Sequence, residues 1–177
     1  RDLILAEICV NRVFIGFNDV EQMVFHTAEA TKLFNGRQSK IMRREGEYTF
    51  GCPHFLYIYY REPCALRQTA EYGAAEFPKF SAIANGIGTG CDYLLKAEYA
   101  LETGDLKGAE LNAKKAIIKA KTQKQNSISV NALFALLRLY IFQGNVEQAH
   151  EVMRKLREDV LRENSPMRNM TFEIING

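Results

Sequence analysis

The sequence predicts an all-α protein, a solenoid of about eight helices arranged as successive antiparallel hairpins. Three observations predict it. Apolar residues recur at helical spacing: between residues 92 and 103 they are Tyr93, Leu94, Ala97, Ala100 and Leu101, one continuous stripe. A turn is also repeated. Gly104 and Gly144 stand 40 residues apart, each followed by a capping residue (Asp105 or Asn145) and an apolar one, with Ala109 and Ala149 at matching places. Finally, no segment carries a convincing strand pattern. Ile58-Tyr59-Tyr60 has strand propensity but falls where the other copies are helical.

Taken in order, Leu3 to Phe17 and Val20 to Phe34 are helical by periodicity, joined at Gly16-Phe17-Asn18-Asp19-Val20. Residues 36–50 form a polar inserted loop with Gly36, Gly46 and the basic residues Arg37, Lys40, Arg43 and Arg44. Phe50 to Tyr60 is expected to be a short aromatic helix starting at Pro53. Ala65 to Asn85 follows, with Pro78 expected to kink or split the helix near Phe77. Gly86-Ile87-Gly88-Thr89-Gly90 reads as a flexible link between two repeats. Gly104 suits a left-handed helix end, and Asp105 can cap the next helix. That helix carries a small-residue stripe, Ala109, Ala113, Ala116, Ile117 and Ala120, allowing close helix packing. Asn145 with Gln148 has capping-box spacing, and Val146, Ala149, Val152, Met153, Leu156 and Val160 give the following helix its apolar face. Ser165-Pro166 reads as the start of a further helix. The chain is thus one repeat domain over 1–177, with repeats at about 1–35, 50–85, 90–122 and 128–163 and a further helix begun at 165–177.

Composition narrows the function. Of 177 residues, 47% are hydrophobic and 25% charged, which excludes a disordered tail, a collagen-like chain or a coiled-coil rod. The 23 basic and 21 acidic residues leave a formal charge of +2, with no electrostatic footprint for direct nucleic-acid binding. No apolar run approaches the ~18 residues that cross a bilayer. Arg1 to Glu7 reads as amphipathic helix and not as a secretory leader, so a cytoplasmic location is expected. Cys9, Cys52, Cys64 and Cys91 have no paired spacing and are expected to be reduced, mostly buried thiols. The chain begins inside a helical pattern and ends as another apolar segment begins. It is therefore read as a fragment of a longer protein that exposes repeat ends, with limited solubility or self-association through them.

Candidate chemistry is sparse. The glycine run at 86–90 opens a helix, as phosphate-binding turns do, but dinucleotide spacing would need a glycine at Cys91 and a preceding strand. Cys52, His54 and Cys64 offer three zinc ligands in no structural zinc spacing and without a fourth, so no metal is assigned. His26 and His150 are expected at the surface or in packing, and nothing in the placement of acids, histidines and nucleophiles suggests a catalytic triad. The basic loop also holds Glu45 and Glu47 and reads as solvated. The expectation is a protein that is not an enzyme and carries no cofactor.

The Gly104 and Gly144 units resemble tetratricopeptide repeats. Ala97 and Leu137 take the eighth place, the glycines the fifteenth, and Ala109 and Ala149 the twentieth. Tyr93 and Leu133 stand where tryptophan is usual, and the period is longer than the common ~34 residues. Longer strings resemble the helical-repeat region of bacterial LuxR-family transcriptional regulators of the MalT-like type: Phe50-Gly51-Cys52-Pro53, Leu56 through Pro63 (LYIYYREP), and Ala97 through Asp105 (AEYALETGD). Cys52 and Cys64 stand where serine and glycine are expected. The resemblance implies hairpins stacked into a right-handed superhelix. It also implies a sensor role: binding a small-molecule inducer or a regulatory protein and relaying it to ATPase and DNA-binding parts outside these residues. ATP belongs to the parent protein, and the chain contains no G-x-x-x-x-G-K-[ST] loop. Tetratricopeptide geometry turns the first helix of each pair toward a concave groove, which points His54, Ile58, Arg61, Leu94, Glu98, Asn131, Phe134 and Arg138 at a ligand or partner. For Leu94 and Phe134, packing between repeats explains the residue equally well. The alternative role is a stand-alone tetratricopeptide adaptor that binds a peptide in that groove.

Overall fold

The computed structural model describes residues 1–15, 19–43, 52–59, 62–162, 171 and 173. Among them are eight α-helices and no strand: α1 (Asp2–Ile15), α2 (Val20–Phe34), α3 (Leu56–Tyr59), α4 (Leu66–Ile83), α5 (Cys91–Glu102), α6 (Leu106–Thr122), α7 (Asn126–Phe142) and α8 (Val146–Arg162). Thr171 and Glu173 are also helical. The all-α expectation therefore holds for the described residues.

Helices pack in chain order. α1 lies on α2, α2 on α4, α4 on α5, and each helix from α5 to α8 on its successor; α5 also reaches α7, and the single turn of α3 rests on α4 and α5. From α5 onward, short connections favour packing of each helix on its successor. The α5–α6 and α7–α8 turns have the same closure 40 residues apart. Gly104 and Gly144 are left-handed, at φ +82° and +67°. The Asp105 N–H donates to the Ala100 carbonyl at 2.8 Å, and the Asn145 N–H to the Tyr140 carbonyl at 2.9 Å. These bonds satisfy carbonyls that the ending helix orphans. The capping oxygens then start the next helix: Asp105 accepts the Gly108 N–H at 2.9 Å, and Asn145 accepts the Gln148 N–H at 3.2 Å. Asp19 does the same for α2, accepting the Gln22 N–H at 3.1 Å. Only half of the expected capping box forms at Asn145, because its own N–H is already donated to Tyr140.

Between these turns the small-residue stripe is buried: Ala109, Ala113, Ala116 and Ala120 let α6 lie close against both neighbours. α7 is apolar on nearly every side and is flanked by α5, α6 and α8. α8 buries Val152, Leu156 and Val160, and its outer face pairs Arg154 with Glu151 and Glu158. Val146, expected on that apolar face, is exposed beside Ile141 and Phe142; Ile4, Leu5 and Ile8 are exposed on α1.

Several expectations are corrected. α3 begins at Leu56 and not at Pro53, because its start is set by a carboxylate from α5 described below. α4 runs unbroken past Pro78. Pro78 faces solvent while Phe77 and Phe80 on either side are buried, so the carbonyl it orphans can be hydrated and the core holds the helix. The glycine-rich link is clamped. Ile87 is 4% exposed, its carbonyl accepts the Ser81 hydroxyl at 2.7 Å, and the Gly88 N–H donates to Gln125 Oε1 at 3.1 Å. Of the cysteines only Cys91 is buried; Cys9 and Cys52 are half-buried and Cys64 is exposed, because it occupies a left-handed turn position at φ +68°. The turn residues 16–18, the loop residues 44–50 and the Ser165-Pro166 helix start lie outside the described residues.

Two substitutions test this packing. Gly90 sits at φ +102°, and a Cβ there would stand 3.0 Å from the Ala116 carbonyl oxygen. Gly90→Ala is expected to cost about 2–4 kcal/mol in urea denaturation, against about 1 kcal/mol for Gly104→Ala, whose Cβ would meet open space. Equal costs would contradict the close approach of α6. Ala97 is fully buried in the same core cluster as Ala109. Ala97→Leu is expected to overpack and to lower stability by ~1–3 kcal/mol in the same assay.

Candidate functional site

Glu98 and Glu102 lie one turn apart on α5 and so share a face. Asn131 and Arg138 lie two turns apart on α7, which packs against α5. His54 precedes α3, which also rests on α5. These three elements bring a polar cluster together at the junction of three successive hairpins.

Glu98 is at its centre and only 1% exposed. Its Oε1 accepts the Phe55 N–H at 2.9 Å and its Oε2 the Leu56 N–H at 2.5 Å, so a residue far along the chain caps α3. The His54 ring stacks on Tyr57 at 3.7 Å between centroids. Its Nε2 is 3.2 Å from Glu102 Oε1 and its Nδ1 is 3.5 Å from Glu98 Oε2. Arg138 Nη2 donates to Glu102 Oε1 at 2.8 Å. Asn131 Nδ2 donates to the Cys52 carbonyl at 2.8 Å, and the Cys52 thiol donates to the His54 carbonyl at 3.2 Å. The segment entering α3 is thereby tied to both α5 and α7.

The electrostatics follow from burial. Burial raises the Glu98 carboxyl to about 8, although the two backbone N–H groups oppose the rise. Burial lowers His54 to about 4, and the Arg138 charge lowers it further. Burial alone would raise Glu102, but the hydrogen bond and charge of Arg138 outweigh it and hold the carboxyl below its ordinary value. At neutral pH Glu98 is therefore protonated and His54 is neutral. The ionised Glu102 can only accept, so His54 carries its hydrogen on Nε2. Its Nδ1 lone pair then faces the Glu98 carboxyl at 3.5 Å, and this buried nitrogen makes no hydrogen bond. Arg138 Nη1 is also buried without a partner.

Of the residues expected to line a groove, His54, Glu98, Asn131 and Arg138 come together. Glu98 does not face open space, because α3 consumes its carboxylate. Leu94 is fully buried in the core, which takes it out of any groove; Ile58 and Phe134 are half-buried at core edges. Arg61 lies outside the described residues. Glu102 and Tyr57 belong to the cluster and were not singled out from sequence. The signal was available: Glu102 is one helical turn from Glu98, and Tyr57 is three residues from His54. Among the described residues, no three His, Cys, Asp or Glu side chains are grouped to hold a metal ion. Of the three proposed zinc ligands, Cys64 is exposed at its own turn and the Cys52 thiol is engaged by a carbonyl. His26 is half-buried and His150 exposed. None of the described helices is long and apolar enough to cross a membrane.

In comparisons with protein families, curated proteins and solved structures, nothing matches this chain.

The proton on Glu98 gives a signed pH dependence. Its carboxyl is raised from 4.5 to about 8 by folding, so the stability associated with that proton is complete below pH 4.5 and is lost as pH rises toward 8. His54 is lowered from 6.5 to about 4, so its contribution is complete above pH 6.5 and is lost as pH falls toward 4. The two slopes oppose each other between 4.5 and 6.5, which leaves a plateau with a decline from 6.5 to 8. Glu98→Gln is expected to fold and to remove the decline above pH 6.5, read by chemical denaturation across that range. An unchanged alkaline limb would show that Glu98 is ionised at neutrality.

Proposed function

We propose that this chain is the sensor and interaction region of a LuxR-family transcriptional regulator of the MalT-like type. In this reading its hairpins stack into a right-handed superhelix and receive an inducer or a regulatory protein. They pass that event to ATPase and DNA-binding parts outside these residues, and carry out no catalysis and no direct nucleic-acid contact themselves. The observation that carries the reading is the recurrence of one turn at Gly104 and Gly144, the first of them inside a string that resembles that family.

The polar cluster supplies a relay for such a role. A ligand that moves α7 against α5 must break or remake the Glu102–Arg138 ion pair, and that pair joins the first helices of neighbouring hairpins. Two discrete arrangements of such a pair can be biased by binding. Chemistry is not required of a part that works by shape.

The gene on both sides of these codons tests the reading: a P-loop ATPase upstream and a helix-turn-helix downstream are expected, and the absence of both overturns it. In the intact protein, Arg138→Ala is expected to change the inducer's effect on DNA binding at least about fivefold, roughly 1 kcal/mol of coupling, while ATP affinity stays within about twofold. A peptide captured by the isolated chain and lost on Arg138→Ala, with no ATPase in the gene, would favour the stand-alone adaptor.

A further inference from the structure

We propose that the hollow between α2 and α4 is a binding site for a small organic cation with a branched apolar tail. It shares no residue with the polar cluster, so it stands or falls separately from the regulator reading.

The hollow has two parts. An apolar throat of about 30 Å³ is walled by Val20, Met23, Val24, Tyr72, Phe77 and Leu95. That space takes a small alkyl tip and nothing larger without movement of the walls. The throat joins an outer vestibule of about 340 Å³, and Val20, Tyr59, Thr69 and Tyr72 line both. The vestibule carries Asp19, Glu21 and Glu62 and no basic side chain among the described residues. Asp19 is engaged as the cap of α2. Glu21 and Glu62 are exposed and make no ion pair among the described residues. Glu76, at the throat, is already paired with Lys79 at 2.7 Å.

The chemistry of an occupant follows from this order. An apolar end is drawn into the throat by burial, and two carboxylates without an ion pair among the described residues favour an ammonium at the mouth over a neutral group and repel an anion. The aromatic walls at Tyr59 and Tyr72 suit a flat body between the two ends. Pockets of this plan, mostly apolar with a few placed charges, are the common form of small-molecule sites.

The test uses three isosteric probes: 4-isopropylbenzylammonium, 4-isopropylbenzyl alcohol and 4-isopropylbenzoate, titrated into the isotopically labelled chain and followed by amide NMR shifts. The ammonium is expected to bind about tenfold tighter than the alcohol at low salt, with the benzoate weakest. Shifts should centre on α2 and α4. Glu21→Gln with Glu62→Gln changes only exposed side chains and should bring the ammonium down to the alcohol's affinity. Val24→Phe fills the throat and should abolish binding of all three probes; if it does not fold, the glutamine pair decides. Any of four results overturns the proposal: no saturable ammonium binding below about 10 mM, benzoate binding as tightly, a preference that survives the glutamine pair, or shifts centred elsewhere.

Discussion

The Glu98 carboxyl carries more of this structure than any other group. A single-turn helix such as α3 has too few internal hydrogen bonds to hold its own start. The two N–H groups at that start are taken by Glu98, which belongs to a different hairpin. The cap is therefore a tertiary contact, and it places His54 and Tyr57 where α5 and α7 meet. The same burial that makes the cap effective makes a full charge on it costly, and the carboxyl stays protonated at neutrality. Structure and protonation are set together at one atom pair.

α5 is the hub of this arrangement. Its Cys91, Leu94 and Leu95 enter one core cluster with α1 to α4 and with Ala116, Ala120, Ile128 and Ala132 of α6 and α7, and its Ala97 and Ala100 enter another with α6 to α8. Between those apolar positions it presents Glu98 and Glu102. A helix that contributes to two cores and to a polar tie between hairpins cannot shift without disturbing both sides. The vestibule beside α2 lies on the first of those cores, with Leu95 of α5 in its throat wall.

Local signals were legible in the sequence where local forces decide. The helix stripes, the left-handed turns at Gly104 and Gly144 and the caps at Asp105 and Asn145 depend on neighbours along the chain, and they appear as read except for the exposed Val146 and the half-formed capping box at Asn145. What was missed depends on distant partners. The start of α3 could not be read at Pro53 because its cap lies more than 40 residues away. The run at 86–90 has the composition of a flexible link, yet Gln125 and α6 close on it from the next hairpin. Pro78 reads as a helix breaker until its solvent-facing position is known. Within the site, helical spacing placed Glu98 on the correct face but not how deeply it is sunk. Leu94 followed from the same geometry and proved to be core.

The two matched turns have a consequence for how such a chain changes length. Backbone entering Gly104 and backbone entering Gly144 leave in the same way, through the same pattern of hydrogen bonds. A recombination event that joins the stretch before one glycine to the stretch after the other therefore needs no new junction. Such an exchange keeps the glycine closure itself, but excising residues 105–144 would also remove Gln125 and the α6 backbone that close on residues 86–90.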